Sequence, residues 1–401
     1  MQWTAQQEKA LKDVSRWLKD PKAPLIYRLF GFAGTGKTTL AKYLAEGIQI
    51  VYFVAFTGKA ADVLRRKGCP AQTIHSLIYA TSVTSRKKLK ELEQSLKELD
   101  KQLPATLQKR KIRQQLVKDI AAEKKNTDQP NFRFNPNGKA KDADLIVVDE
   151  ASMIPESMAK DLLKYNVKIL ALGDPAQLPP VRGRGYFTAA KPDTMLTDIT
   201  RQAENSPIIR LATQVRQREA LSLGQYGNSS VITKAELAPF DVLASDQLLV
   251  GRNKTRRSFN ARIRELKKLP KGRPADGDKL VCLNNNSDHG LFNGAIWNLE
   301  KYKEFDDELC TLDIRSEDGE MALFDLPAHM HYLAGRTEDL PYWSLDGAEL
   351  FDYGYALTVH KSQGSQWPNV MVFDESKGFS DKHKWLYTAI TRASETVTVV
   401  R

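Results

Sequence analysis

The chain has 401 residues, 27% of them charged and 41% hydrophobic, with a formal net charge of +11. That length suits two to four domains, and the composition excludes wholesale disorder. No stretch approaches 18 consecutive apolar residues, which excludes a spanning helix. The start lacks the basic segment and apolar run of a secretory signal. Three scattered cysteines, Cys69, Cys282 and Cys310, exclude a disulfide scaffold or a cysteine zinc site and fit a reducing cytosol. The positive excess points to a polyanionic partner, nucleic acid ahead of an acidic membrane surface.

Segment 6–18 places Ala10, Leu11, Val14, Trp17 and Leu18 at helical spacing. An apolar run at 25–30 enters a glycine-rich turn, and further strands are predicted at 48–56, 145–148 and 167–172. Short apolar strands separated by helices predict a parallel sheet covered on both faces. Residues 86–125 break the pattern. Leu89, Leu92, Leu96, Leu99 and Leu103 step by three and four, Pro104 intervenes, and Ile112, Leu116 and Ile120 step by four. Two amphipathic helices folded as a hairpin are predicted there. Thirteen Lys/Arg against six Asp/Glu give this segment most of the excess charge. It reads as a solvated pair with a leucine seam or as a basic arm beside a nucleic-acid path. After about residue 190 a second alternating region begins, with strands predicted at 247–250, 356–359, 370–373 and 396–400. Within it, residues 270–350 carry Gly, Asn and Asp turns between runs at 279–283, 295–299 and 309–314, which predicts a small inserted β-rich module.

Residues 31–38 read Gly-Phe-Ala-Gly-Thr-Gly-Lys-Thr between a predicted strand and a predicted helix at 39–46, the context that a phosphate-binding loop requires. Its glycines let backbone N–H groups approach phosphate oxygens, Lys37 can reach the terminal phosphates, and Thr38 can hold Mg²⁺. Residues 145–150, Leu-Ile-Val-Val-Asp-Glu, predict a buried strand that delivers two carboxylates at its C-terminal end, where open α/β sheets bind ligands. Asp149 would hold Mg²⁺ and Glu150 would polarise the attacking water. Gln177 follows another predicted strand and suits a γ-phosphate sensor or water-orienting group, although Gly173-Asp174-Pro175 alone is ordinary turn chemistry. Arg201 and Arg392 suit the charge that develops in a transition state. Both lie in the second α/β region, so hydrolysis would depend on domain closure. A lone arginine more often makes a surface ion pair, and this reading rests on the motifs around the two.

Taken in order, segments 4–10, 31–38, 55–61, 73–77, 148–153, 173–180, 196–202, 358–365 and 387–393 resemble the superfamily 1 DNA helicases, in the RecD/Dda-like branch that moves 5′ to 3′ on single-stranded DNA. The resemblance covers nearly the whole chain. It implies an α/β fold of two RecA-like parallel-sheet cores of the P-loop NTPase class. The first would comprise 1–80 and 141–190, and the second 191–269 and 351–401. A basic helical insert at 81–140 would occupy the pin or wedge position. An SH3-like β-rich insert would fill 270–350, with Phe292-Asn293-Gly294 a matching piece.

The same resemblance implies ATP and Mg²⁺ as cofactors. Gln7 would contact the adenine, and Gly34, Thr35, Gly36, Lys37, Thr38 and Thr39 would surround the phosphates. Thr38 and Asp149 would serve the metal, Glu150 and Gln177 the water. Arg201 and Arg392 would be arginine fingers, and Gly364 would lie near the nucleotide between the cores. Thr57, His75, Thr358, His360 and Lys361 would face the strand, with Asn253 a further contact; hydroxyls, imidazoles and a cation suit phosphates and bases. Relatives carry a short β-hairpin, the pin, where this chain has its basic helices, instead or in addition. Phe132 and Phe134, in a strand predicted at 131–135, are wedge candidates against plain strand packing.

The expected activity is ATP-dependent DNA unwinding. Two alternatives stay open: a nucleic-acid-stimulated ATPase that remodels protein–DNA complexes without strand separation, and an RNA helicase, since phosphate contacts ignore the 2′-OH. Expected partners are single-stranded DNA and single/double-strand junctions, with replication, repair or recombination proteins and no membrane. The chain is expected to act as a monomer in the cytoplasm, at a nucleoid or in a phage-infected cell.

Overall fold

The computed structural model describes residues 3–81, 91–92, 94–99, 112–113, 115–120, 132–180, 185–200, 205–286, 289–304, 306–338, 340 and 347–401. The apolar runs of the first region become strands β1 (Ile26–Gly31), β2 (Val51–Ala55) and β3 (Ala71–Thr73). A short pair follows, β4 (Tyr79–Thr81) and β5 (Phe132–Phe134), then β6 (Leu145–Val148), β7 (Ile169–Gly173) and β8 (Thr194–Leu196). Six of these form one parallel sheet in the order β3-β2-β6-β7-β1-β8. β6 shows why. All four of its residues are fully buried, Leu145 and Val147 in one apolar cluster and Ile146 and Val148 in another. Only a strand with helices on both faces can bury both sides of its pleat. The parallel arrangement brings the C-terminal ends of β1, β6 and β7 to one edge, and the chemistry-bearing loops all leave from there.

The second region forms β9 (Gly224–Tyr226), β10 (Ser229–Ile232), β11 (Gln247–Val250), β17 (Ala356–Thr358), β18 (Trp367–Phe373) and β19 (Ala393–Val400). Its sheet order is β17-β11-β18-β19-β10-β9, parallel except for the β9–β10 hairpin at one edge. Between β11 and β17 a closed barrel is built from β12 (Lys279–Cys282), β13 (Ile296–Glu304), β14 (Leu309–Ser316), β15 (Ala322–His329) and β16 (Glu349–Tyr353). Alternation along β14 buries Cys310, Leu312 and Ile314 in the barrel. These residues share one cluster with Leu248, Val250 and Phe373 of the second sheet, so barrel and sheet fold around a common core.

The α/β fold with two parallel-sheet cores and a β-rich insert is as expected, but two details differ. The first sheet does not end at residue 190: β8 pairs in parallel with β1, so it runs to Leu196. A three-residue edge strand with one buried residue is too short to show a period. The barrel also runs past residue 350, because β16 closes it against β12. In the helical insert, described residues 94–99 and 115–120 are helical. Leu92, Leu96 and Leu99 are half-buried, Ile120 is buried and Ile112 is exposed. Leu89, Leu103 and Pro104 lie outside the described residues. The insert is entered and left through β4 and β5, which pair antiparallel from Tyr79 opposite Phe134 to Thr81 opposite Phe132. A hairpin stalk and helical residues therefore occur together. Among the described residues no helix is long and apolar enough to cross a membrane.

Candidate nucleotide and nucleic-acid sites

The loop after β1 turns into the helix Lys37–Ala45 through Gly34 and Gly36, both left-handed (φ 79° and 78°). A side chain at Gly36 would sit 2.8 Å from Gln7 Nε2. The N-cap of this helix is Gly36, which has no side chain to accept from the first N–H groups, so these suit an anion. Thr35 is fully buried and donates its hydroxyl to the Phe32 carbonyl (2.9 Å). Lys37 Nζ donates to the carbonyls of Gly31 (2.8 Å) and Phe32 (2.9 Å), the acceptors that its own loop offers. Gln7, expected at the adenine, is 4% exposed. Its Nε2 donates to the Thr35 carbonyl (3.1 Å) and its Oε1 accepts from Thr4 N–H (3.0 Å), so it braces the loop from beneath. Thr39 is exposed and lines the cleft.

β6 ends on Asp149 and Glu150. Thr38 Oγ1 lies 3.4 Å from Asp149 Oδ2. Desolvation at the cleft floor and the adjacent Glu150 charge push the Asp149 carboxyl above its ordinary value. Glu150 adopts a left-handed conformation (φ 49°), uncommon for a side chain of its kind. Its Oε1 stands 3.8 Å from Arg392 Nη1, across the boundary between the two sheets. Arg392 is 3% exposed and anchored by the Thr388 carbonyl (3.1 Å), the Ser365 carbonyl (3.3 Å) and Thr391 Oγ1 (3.3 Å). Gln177 is buried, and its Oε1 has no partner among the described residues. Arg201 lies outside the described residues. Gly364, left-handed at φ 75°, touches the first core: a Cβ there would come within 2.8 Å of Ala60 Cβ and 3.0 Å of Thr57 Oγ1. Lys37, Thr38, Asp149, Glu150, Gln177, Gly364 and Arg392 all line one cleft of about 960 Å³.

Sequence reasoning missed Tyr387, from the helix Lys382–Ile390 of the second core. Its hydroxyl accepts from Ala33 N–H (2.8 Å) and donates to Asp174 Oδ2 (2.7 Å). Burial and the Asp174 charge raise this phenol well above its ordinary value, so it stays protonated. Beside it, Leu178 N–H donates to Thr388 Oγ1 and Gln363 Nε2 to the Leu178 carbonyl (2.9 Å each). Segment 387–393 was the only sequence signal, and it drew attention to Arg392 instead.

The strand-facing candidates follow the C-terminal ends of other strands. Thr57, after β2, caps the helix Gly58–Arg66 by accepting from Ala60 N–H (3.1 Å). His75, after β3, is half-buried with its ring 5.9 Å from Phe56 and 5.7 Å from Tyr79; burial lowers its pKa. Thr358 ends β17 and accepts from Lys361 N–H (3.3 Å). His360, its ring 5.8 Å from Phe379, is also lowered by burial. Desolvation, with Arg256 nearby, brings Lys361 down to about 8. Asn253 is exposed at the start of the helix Asn253–Leu266 and accepts from Arg256 Nε (3.3 Å). Phe134 packs on Tyr165 (5.1 Å between ring centres) beneath Lys164, at the base of the stalk. Phe132 pairs with Thr81 at the stalk's far end. The barrel adds a contact that sequence did not suggest. Glu317, in the turn after β14, takes Lys59 Nζ (3.2 Å), Lys279 Nζ (2.9 Å) and the Trp367 indole N–H (3.0 Å). Phe292 lies so close to Gly58 that a Cβ there would overlap its ring, at 2.2 Å.

A family model described as an AAA domain matches residues 3–237, and one described as a UvrD-like helicase C-terminal domain matches residues 353–400. The ATP-dependent RecD2 DNA helicase of Deinococcus radiodurans is 28% identical over 287 residues, 63% of this chain and 35% of that protein. An uncharacterized protein of Acanthamoeba polyphaga mimivirus is 33% identical over 168 residues, 39% of this chain and 29% of that protein. The chain thus spans about a third of the length of the curated relatives it matches. A solved Pif1 helicase structure, described as explaining unwinding at forked double-stranded DNA, has a TM-score of 0.54 at 17% identity. It covers 99% of this chain and 92% of that one. Bacteroides Pif1 bound to single-stranded DNA has a TM-score of 0.51 at 18% identity, with the same coverage. At such identities the likeness establishes the fold.

Proposed function

This chain belongs to the AAA-domain family, and we propose that it is a RecD/Pif1-like helicase of superfamily 1, an ATP-driven DNA helicase moving 5′ to 3′ on single strands. The observation that carries the reading is Arg392 of one core facing Glu150 of the other at 3.8 Å, in the cleft that the phosphate loop lines. The residues present fit ATP with Mg²⁺. Left-handed Gly34 and Gly36 leave a cradle beside uncapped helix N–H groups. Thr38 and Asp149 supply two hard oxygen donors that line the same cleft. When bound by Thr38 and Asp149, Mg²⁺ supplies charge neutralisation at the phosphate oxygens.

Lys37 exchanges the carbonyls of Gly31 and Phe32 for phosphate oxygens, acceptor for acceptor. Glu150 and Gln177, whose Oε1 has no partner among the described residues, orient the attacking water. Arg392, with Arg201 proposed as its companion, leaves Glu150 to meet the charge that builds on the transferred group. Because Arg392 arrives from the second core, hydrolysis requires closure of the two cores. Thr57 and His75 on one core, and Thr358, His360, Lys361 and Asn253 on the other, would grip a strand laid across both. Closure then changes the spacing between the grips and becomes a step. The β4–β5 stalk supports strand separation over remodelling alone.

The test is unwinding of one labelled duplex bearing either a 5′ or a 3′ single-stranded tail, with ATP and Mg²⁺ and with Lys37→Ala as the inactive control. Unwinding from the 5′ tail alone is expected. Hydrolysis without unwinding from either tail would move the reading to a remodelling ATPase, and a response to RNA tails alone would move it to an RNA helicase.

A further inference from the structure

Tyr387 touches the nucleotide loop from the opposite core, and its contacts run in two directions. Toward the first core, one hydroxyl accepts from the Ala33 N–H of the phosphate loop and donates to Asp174, whose other oxygen accepts from Ala176 N–H (2.9 Å) one residue before Gln177. Toward its own core, the Tyr387 carbonyl accepts from Thr391 N–H (3.0 Å) and from the Thr391 hydroxyl (2.9 Å). Thr391 Oγ1 in turn accepts from Arg392 Nη2. The ring is 2% exposed and sits in the apolar cluster of the second core, so it cannot swing away without repacking that core. A second link runs parallel, with Arg216 stacked 3.8 Å over the Phe32 ring.

We propose that Tyr387 is a positioning residue, which registers Arg392 against the phosphate loop by spanning the two cores with its hydroxyl. The assignment rests on the reading of Arg392 given above. A guanidinium on the far side of a domain boundary helps only when it meets the transferred group within a few tenths of an ångström. The helix Lys382–Ile390, which ends two residues before Arg392, reaches the loop at Tyr387, through one hydrogen bond in and one out. Removing the oxygen keeps the ring and its packing. It leaves Ala33 N–H and Asp174 Oδ2 short of a partner and frees the helix to shift relative to the loop.

The experiment is a double-mutant cycle on ATP hydrolysis with saturating single-stranded DNA, using the full chain, Tyr387→Phe, Arg392→Ala and the double variant, each checked for an unchanged circular dichroism spectrum. Tyr387→Phe is expected to lower kcat about tenfold with KM for ATP within about twofold, and to change kcat by less than about twofold once Arg392 is alanine. An equal loss in both backgrounds, or no loss in the parent, would overturn the positioning role. An Arg392→Ala chain that hydrolyses as fast as the parent would instead overturn the assignment of Arg392 itself.

Discussion

Arg392 stands 3.8 Å from Glu150, and the arginine-finger role proposed for it concerns charge that develops only in a transition state. Arg392→Ala should therefore lower kcat by about 100-fold or more while KM for ATP moves by only a few-fold. Steady-state kinetics in the presence of single-stranded DNA decide this. A rise in KM with kcat intact would make the residue a ground-state binder. Lys361 makes a pH prediction. Desolvation, then Arg256, lower it to about 8, and Asp352 pulls the other way. A phosphate favours the ammonium form, so strand affinity should fall as pH rises through about 8. Lys361→Met should bind more weakly and with a flatter profile between about pH 7 and 9. A variant with the parent's slope would take Lys361 off the strand path.

The barrel meets the first core at Phe292 and at the turn that carries Glu317. Burial alone would raise the Glu317 carboxyl, but Lys279 and Lys59 hold it below the ordinary glutamate value of 4.5. A carboxylate depressed on folding adds stability that is complete above its unfolded pKa and disappears as pH falls through the folded one. Glu317→Gln should remove that acid-side loss. At neutral pH it should cost about 1–3 kcal/mol, because Lys59 loses its carboxylate partner in a desolvated place. Urea unfolding at neutral and acid pH measures both effects, and equal curves for the two chains would reduce the turn to a surface feature. The helical insert offers a second test. Lys109, Arg110 and Lys111 lie outside the described residues, and Arg113 is an exposed helical residue. Reversing these four charges should weaken nucleic-acid binding and lower its salt slope by about one for each phosphate no longer neutralised. Unchanged affinity and slope would leave a solvated helix pair.

At the scale of the molecule, barrel and second sheet cannot be separated. Leu248, Val250 and Phe373 share their cluster with Leu280 and Leu312. The first core instead buries its two faces in clusters of its own. Excising residues 279–353 should therefore unfold the second core while the first keeps its helices, a partial loss of circular dichroism with loss of hydrolysis. A chain that still hydrolyses ATP after that excision would show that the barrel is an appended module. The cleft is spanned by long-range bonds, from Tyr387 to the phosphate loop and from Gln363 to Leu178, so the two cores meet directly beside it.

Much of the candidate nucleotide site was legible in the sequence, because its requirements are local. Glycines at 31, 34 and 36 and a lysine at 37 suffice for a loop that wraps an anion, and four apolar residues before Asp149 suffice for a buried strand ending on a carboxylate. The fold class followed from the same runs. The short edges β3, β8 and β9 did not, since three residues cannot display a period. Nor did side-chain partnership across distance. The bond between Tyr387 and Ala33 joins residues 354 positions apart, and nothing near either one announces the other. Nor did the sequence show that Gln7, read as an adenine contact, also braces the phosphate loop, that Phe134, a wedge candidate, packs under Lys164, or that Lys59 joins a three-way junction at Glu317. Residue order alone dictates which segments carry chemistry, because backbone shape and strand burial are set by near neighbours. Which side chains meet across the cleft emerges only in the folded chain, because that depends on how two separately folded sheets are packed.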